Sequence, residues 1–164
     1  MAAGWDWGSG EGLLGLDNPE EWDGAFERGE DHLGTAAIGL AFNCSLEEAS
    51  PRIVRSMRLS DAAQRGFAFT AAGHAARLNG ALTPELFAAL RAEGPGGIAD
   101  FPIRDTLGFV PFRKLPPWFK RRWVYMTVRD RLEGWWLRSE GAILNGWQRL
   151  RGGGSRLRRI SEND

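Results

Sequence analysis

From residue 17 onward, apolar side chains recur at spacings of three and four, as in helices with a buried face, and nowhere do they alternate with a period of two. Asp17-Asn18-Pro19-Glu20-Glu21 reads as a helix start: Asn18 caps, Pro19 suits the first position and the acids suit the positive end of the dipole. A short helix is predicted over about 19–28. Between His32 and Phe42, the residues Leu33, Ala36, Ala37, Leu40 and Ala41 form one stripe, and Ile38 and Phe42 a second, the pattern of a helix buried on more than one face. Ser45-Leu46-Glu47-Glu48 has capping-box spacing, but a helix opened there would carry Pro51 inside it at a cost of about 3 kcal/mol. The cheaper reading is a turn at 45–49 and a helix from Pro51 capped by Ser50. Its inward face would be Ile53, Val54 and Met57, with Arg52, Arg55 and Arg58 outward.

Ser60 or Asp61 caps the next and central helix, predicted to run to about Leu78 and to stop at Asn79-Gly80. Phe67, Ala71, Ala75 and Leu78 form one face and Phe69, Ala72 and Ala76 another, while Gly66 and Gly73 would let a neighbouring helix approach closely. Thr83-Pro84-Glu85 opens a helix ending near Gly94, with Leu86, Phe87 and Leu90 inward. After a Gly-Pro-Gly-Gly break, Pro102 is a first-turn residue and Ile103, Leu107 and Val110 mark a closing helix. Pro111 to Pro117 is a second break. From Trp118 the pattern is helical again, with Phe119, Trp123, Met126, Leu132, Trp135 and Trp136 on one side and Arg121, Arg122, Arg129, Arg131 and Arg138 interleaved. Gly141 is placed to split this segment, which Ile143, Leu144 and Trp147 continue. Residues 1–16 show no period and read as an irregular arm, 17–151 as a helical domain with its C-terminal segment over 117–151, and 152–164 as a flexible basic tail opened by Gly-Gly-Gly-Ser.

Residues about 31–110 resemble the small HEAT-repeat-like helical proteins of GC-rich bacteria. The resemblance rests on Leu33 to Phe42, Arg52 to Met57, Gln64-Arg65-Gly66-Phe67-Ala68-Phe69 leading to Gly73-His74-Ala75-Ala76-Arg77, and Leu86 to Leu90. Pro51 and the roughly 30 N-terminal and 50 C-terminal residues fall outside the pattern. The resemblance implies antiparallel helix pairs, a protein-binding scaffold without catalytic residues, and a kinship with immunity or accessory proteins found beside toxins. The expected fold is therefore all-α, with a HEAT-like middle and a Trp-rich C-terminal helix packed on it.

Charge adds a polarity that the pattern does not show. The chain of 164 residues is neutral, yet residues 1–50 hold eleven acids against one base, Arg28, whereas residues 101–164 hold fourteen bases against six acids. Tryptophan divides the same way: Trp5, Trp7 and Trp22 lie in the acidic end, and Trp118, Trp123, Trp135, Trp136 and Trp147 in the basic end. Either the two ends dock on each other, which the shared aromatics favour, or each faces its own partner.

Candidate chemistry is sparse. One cysteine and two histidines exclude a disulfide framework and a cysteine- or histidine-rich zinc site. His74 has no carboxylate placed by spacing to orient it and is expected to be a core histidine bonded to backbone; His32 is expected to be a solvated helix-start residue. Cys44 fits a small buried hydrophobe. The acids from Glu20 to Asp31 lack the alternating oxygens of a calcium loop, and the glycine runs lack the context of a phosphate loop, so no metal or cofactor is expected. No run of about 18 apolar residues and no basic-then-apolar leader is present, and a cytoplasmic location is expected.

These features lead to the expectation of a non-enzymatic protein-binding protein, of the inhibitor or immunity kind. It would mask a basic partner with Glu20, Glu21, Asp23, Glu27, Glu30 and Asp31. The alternative is a nucleic-acid or anionic-membrane adaptor acting through Lys120, Arg121, Arg122 and Trp123 in the basic end.

Overall fold

A computed structural model describes residues 5–132 and shows, among them, helices and turns with no strand. The helices are α1 (Pro19–Arg28), α2 (Leu33–Asn43), α3 (Leu46–Ser56), α4 (Ala62–Asn79), α5 (Pro84–Glu93), α6 (Asp100–Phe109) and α7, described over 117–132. The all-α expectation holds. The chain divides into two units, Met1–Lys120 and Arg121–Asp164. The expected tail at 152–164, and Trp135, Trp136, Arg138, Gly141, Ile143, Leu144 and Trp147, lie outside the described residues.

Local chemistry sets most boundaries where the sequence placed them. Asn18 Oδ1 accepts from the amides of Glu20 and Glu21, Asp61 caps α4 through the Gln64 amide, and Thr83 caps α5 through the Leu86 amide. Gly29 and Gly80 end α1 and α4 in the left-handed conformation that glycine adopts without steric cost.

Helix α3 departs from expectation. Ser45, not Ser50, is its cap: Ser45 Oγ accepts from the Glu48 amide at 3.3 Å, and the Glu48 carboxylate accepts in return from the Ser45 amide at 3.2 Å and hydroxyl at 2.7 Å. Pro51 is therefore the sixth residue of the helix and forfeits one early backbone bond. The complete capping box, worth about 1 kcal/mol, and the burial of Ala49 and Ile53 offset that loss. Arg52 also turns inward rather than outward. Its guanidinium pairs with Asp23 and donates to the carbonyls of Pro19 (3.1 Å) and Glu48 (2.7 Å), tying α3 to α1. Arg55 lies 3.8 Å over the Phe26 ring.

Within residues 5–120, α2, α4 and α6 pack in one layer and α1, α3 and α5 in another, with α2 against α4 the most extensive contact. Alanines dominate that seam, with Ala36, Ala37 and Ala41 of α2 and Ala68, Ala71, Ala72, Ala75 and Ala76 of α4 all buried. Close approach depends on glycines that spacing did not reveal. A Cβ at Gly34 would overlap the Gln64 carbonyl, and one at Gly39 the Leu13 carbonyl. Gly73 does lie under α6, where a Cβ would come 3.4 Å from the Pro102 Cα, but Gly66 faces open space. Phe67, expected inward, is 43% exposed, and Leu78 protrudes at the other end of its stripe; Phe69 is the buried phenylalanine. An alanine-rich helix apolar on several sides has no single apolar face for its periodicity to reveal.

Residues 5–18 are irregular except for a 3-10 turn at Leu13–Gly15, which is packed on α2. Leu13 and Leu16 are fully buried, and Asn43 Nδ2 donates to the carbonyls of Leu14 (3.0 Å) and Leu16 (3.2 Å). At the other end of this unit, Phe119 is buried with its ring edge-on to Phe87 at 5.1 Å.

Candidate functional site

Two of the predicted acids, Glu30 and Asp31, lie where α1 gives way to α2. Gly29 turns the chain out of α1, its amide and that of Glu30 closing on the carbonyls of Phe26 (3.1 Å) and Ala25 (3.0 Å). Glu30, Asp31 and His32 form the link. His32 precedes α2 at φ 61°, the one non-glycine residue at positive φ among those described, and its side chain does not cap the helix. Gln64 of α4 does so instead, its Oε1 accepting from the amides of Gly34 (2.9 Å) and Thr35 (3.1 Å). The N-termini of α2 and α4 thus lie side by side, and their dipoles favour negative charge there.

A cleft of about 490 Å³ opens at this corner. Phe26, Leu33 and Leu59 give it apolar walls, and Glu30, Asp31 and Asp61 bring three carboxylates to it from two separate connections. Such a site offers a surface for the methylene stem of a long basic side chain and acceptors for its head. His32 is half-buried at the rim rather than solvated, with Nδ1 3.5 Å from Gln64 Nε2.

Of the six acids expected to form an interface, three have internal partners. Glu21 accepts from Trp7 Nε1 and Arg28 Nη2 (both 3.2 Å), Asp23 pairs with Arg52, and Glu30 pairs with Arg28 at 3.0 Å. Glu20, Glu27 and Asp31 are exposed and make no ion pair among the described residues. Glu20 and Glu27, seven residues apart, share one face of α1. Sequence reasoning read Asp61 only as a cap and did not single out Gln64 or Leu59; their place in the cleft depends on the packing of α4 beside α2.

The four residues singled out in the basic end do not share a face. Consecutive helical positions turn by about 100°, so they spread around α7. Lys120 is half-buried with Nζ 5.8 Å over the Phe112 ring, Arg121 is exposed, Arg122 lies 5.6 Å over the Tyr125 ring and Trp123 is 38% exposed. Leu132 was expected on the side of Phe119 and Met126, but it is exposed and spaced to share a face with Val124 and Val128.

His74 is half-buried, its ring against Phe42 at 4.7 Å, and it makes no side-chain hydrogen bond among the described residues, in place of the expected backbone bond. Burial of the ring, together with the charge of Arg77, holds its pKa below the usual value despite an opposing pull from Asp105. Asp105 gives both oxygens to Arg77 Nη2 at 3.0 and 3.1 Å. Cys44 is half-buried at the end of α2, and desolvation, reinforced by Glu48 and Asp17, raises its thiol pKa, which opposes a nucleophilic thiolate. Among the described residues no group of three or more histidine, cysteine or acidic side chains is arranged to hold a metal ion, and no helix is long and apolar enough to cross a membrane. Compared with family models, curated proteins and solved structures, the chain matches none.

Proposed function

We propose that this chain is a non-enzymatic, cytoplasmic protein-binding scaffold, of the inhibitor or immunity kind, that engages a partner with a basic surface. The observation that carries the reading is the acidic corner. Exposed Glu20, Glu27 and Asp31 lead along α1 to a cleft whose apolar walls carry three carboxylates. Such a field speeds encounter with a cationic partner, and a cleft of this chemistry takes an arginine or lysine. The two layers of alternating helices support a HEAT-like reading of the middle, because stacked helix pairs bury a shared core and leave long faces for a partner. The environments of His74 and Cys44 support the non-enzymatic part.

The test is affinity capture from the native cell with the full chain and with a variant carrying Glu20→Lys, Glu27→Lys, Asp31→Lys and Asp61→Asn, the last keeping an N-cap. A basic protein retained by the wild type is expected to lose association rate with the variant, and much of the salt dependence with it. Equal binding by both proteins would place the interface elsewhere, and a turnover lost with His74→Gln in a folded protein would overturn the non-enzymatic reading.

A further inference from the structure

Helix α7 carries apolar side chains that its fold leaves in water. Val124, Tyr125, Val128 and Leu132 are 47%, 57%, 51% and 59% exposed. Residues 124, 128 and 132 follow one another at i, i+4 and i+8, and with Tyr125 they span an arc of about 100° on the helix surface. Arg131 falls just outside one edge of that arc and Arg129 just outside the other, while Arg121 lies within it at the N-terminal end. All three are exposed. Asp130, the one acid on α7 among the described residues, projects from the opposite side. The helix therefore has an apolar stripe bordered on both flanks by guanidinium groups.

We propose that this stripe is a docking surface for an anionic lipid bilayer, on which α7 lies in the plane of the interface. The valines and Leu132 would enter the boundary between headgroups and acyl chains, Tyr125 would sit with its hydroxyl at headgroup level, and the flanking arginines would reach the lipid phosphates along their methylene stems. Charge complementarity selects this occupant: the stripe lies in the part of the chain where fourteen bases outnumber six acids. Trp135 and Trp136, three and four positions after Leu132, extend the apolar spacing in the sequence.

A second copy fits less well. A symmetric pairing would set arginines beside arginines. A nucleic acid would engage the arginines but leave the valines and Leu132 without apolar contact. This surface shares no residue with the acidic cleft, and the proposal does not depend on it.

The experiment is co-sedimentation of the full chain with vesicles of phosphatidylcholine alone and of phosphatidylcholine with about one-third phosphatidylserine. Binding to the anionic vesicles is expected to be about tenfold or more tighter and to fall as salt rises. Val128→Gln with Leu132→Gln should reduce it by a further factor of about ten, and Arg129→Gln with Arg131→Gln should remove part of its salt dependence, both without loss of helicity. Immersion is read by an environment-sensitive label on Val128→Cys in a Cys44→Ser background, whose emission should shift to the blue on anionic vesicles alone. Any of four results overturns the proposal: no binding to anionic vesicles, binding unchanged by the glutamines at 128 and 132, the same blue shift on duplex DNA or RNA, or a lipid-free dimer that those glutamines dissociate.

Discussion

The acidic end of the chain and residues 121–132 of the basic end both carry aromatic side chains among charges, and they dispose of them differently. At the acidic end Trp22 is fully buried, stacks on Phe26 at 5.3 Å and donates its indole N–H to the Leu33 carbonyl at 3.1 Å. Trp7 is buried as well and bonds Glu21, and three of the nearby carboxylates are paired with arginines. At the basic end, within the described part of α7, Trp123 and Tyr125 are exposed, as are Val124, Val128 and Leu132. Aromatic and charged composition therefore does not say whether a region is core or surface. What decides is whether another element supplies apolar contact and hydrogen-bond partners, as α2 and α3 do for α1.

The largest expected effect tests the close packing that holds the acidic end down. Gly39→Ala would drive a methyl group into the Leu13 carbonyl and Gly34→Ala one into the Gln64 carbonyl, so each should cost about 3 kcal/mol or more. Urea denaturation measures this. Val128→Gln on α7 is the matched control and should leave the midpoint nearly unchanged. Equal losses at both sites would erase the distinction between the two ends.

A direct comparison of tryptophans comes next. Trp22→Ala should destabilise by about 3–5 kcal/mol, whereas Trp123→Ala, at a more exposed position, should cost less. Trp22→Phe sharpens the result, because it restores most of the volume but leaves the Leu33 carbonyl without its donor.

Arg52→Ala should cost about 1–2 kcal/mol by removing the ties of α3 to α1 at Asp23 and the Pro19 carbonyl. Thermal unfolding would detect it as a fall of several degrees. A silent substitution would show that α1 is held by Trp22 and its apolar contacts alone.

The smallest effect is a pH dependence. Because the folded chain holds the pKa of His74 below its ordinary 6.5, the unfolded chain binds a proton that the folded one resists. Stability should be complete above about pH 6.5 and decline as the pH falls through that value. Unfolding midpoints at pH 7.5 and 5.5 should therefore differ more for the wild type than for His74→Gln. An identical difference in the two proteins would place the titration in other groups.

Much of the local architecture was legible in the sequence because local chemistry causes it. Asn18, Asp61 and Thr83 cap the helices that follow them, Pro19 and Pro84 occupy first turns, and Gly80 provides a left-handed stop; each acts within a few residues of itself. The concentration of acids near α1 was equally visible. Pro51 shows the limit of that kind of reading. Its penalty is real, but the reciprocal bonds of Ser45 and Glu48 and the burial of Ala49 and Ile53 outweigh it, and burial is a property of the assembled layers.

Tertiary structure alone decided which faces are core and which residues meet. Phe67 and Phe69 are two positions apart on an alanine-rich helix, and only the placement of α3 and α5 beside Phe69 makes one exposed and the other buried. Gly34 and Gly39 look like weak points in a helix until Gln64 and Leu13 are laid against them. The cleft of Glu30, Asp31 and Asp61 joins connections about 30 residues apart in the chain, and Gln64 caps a helix that begins 31 positions before it. Capping and periodicity act over one or two turns of chain, so a sequence displays them directly. Close packing and shared clefts arise from contacts between distant segments, and these exist only once the helices have been set against one another.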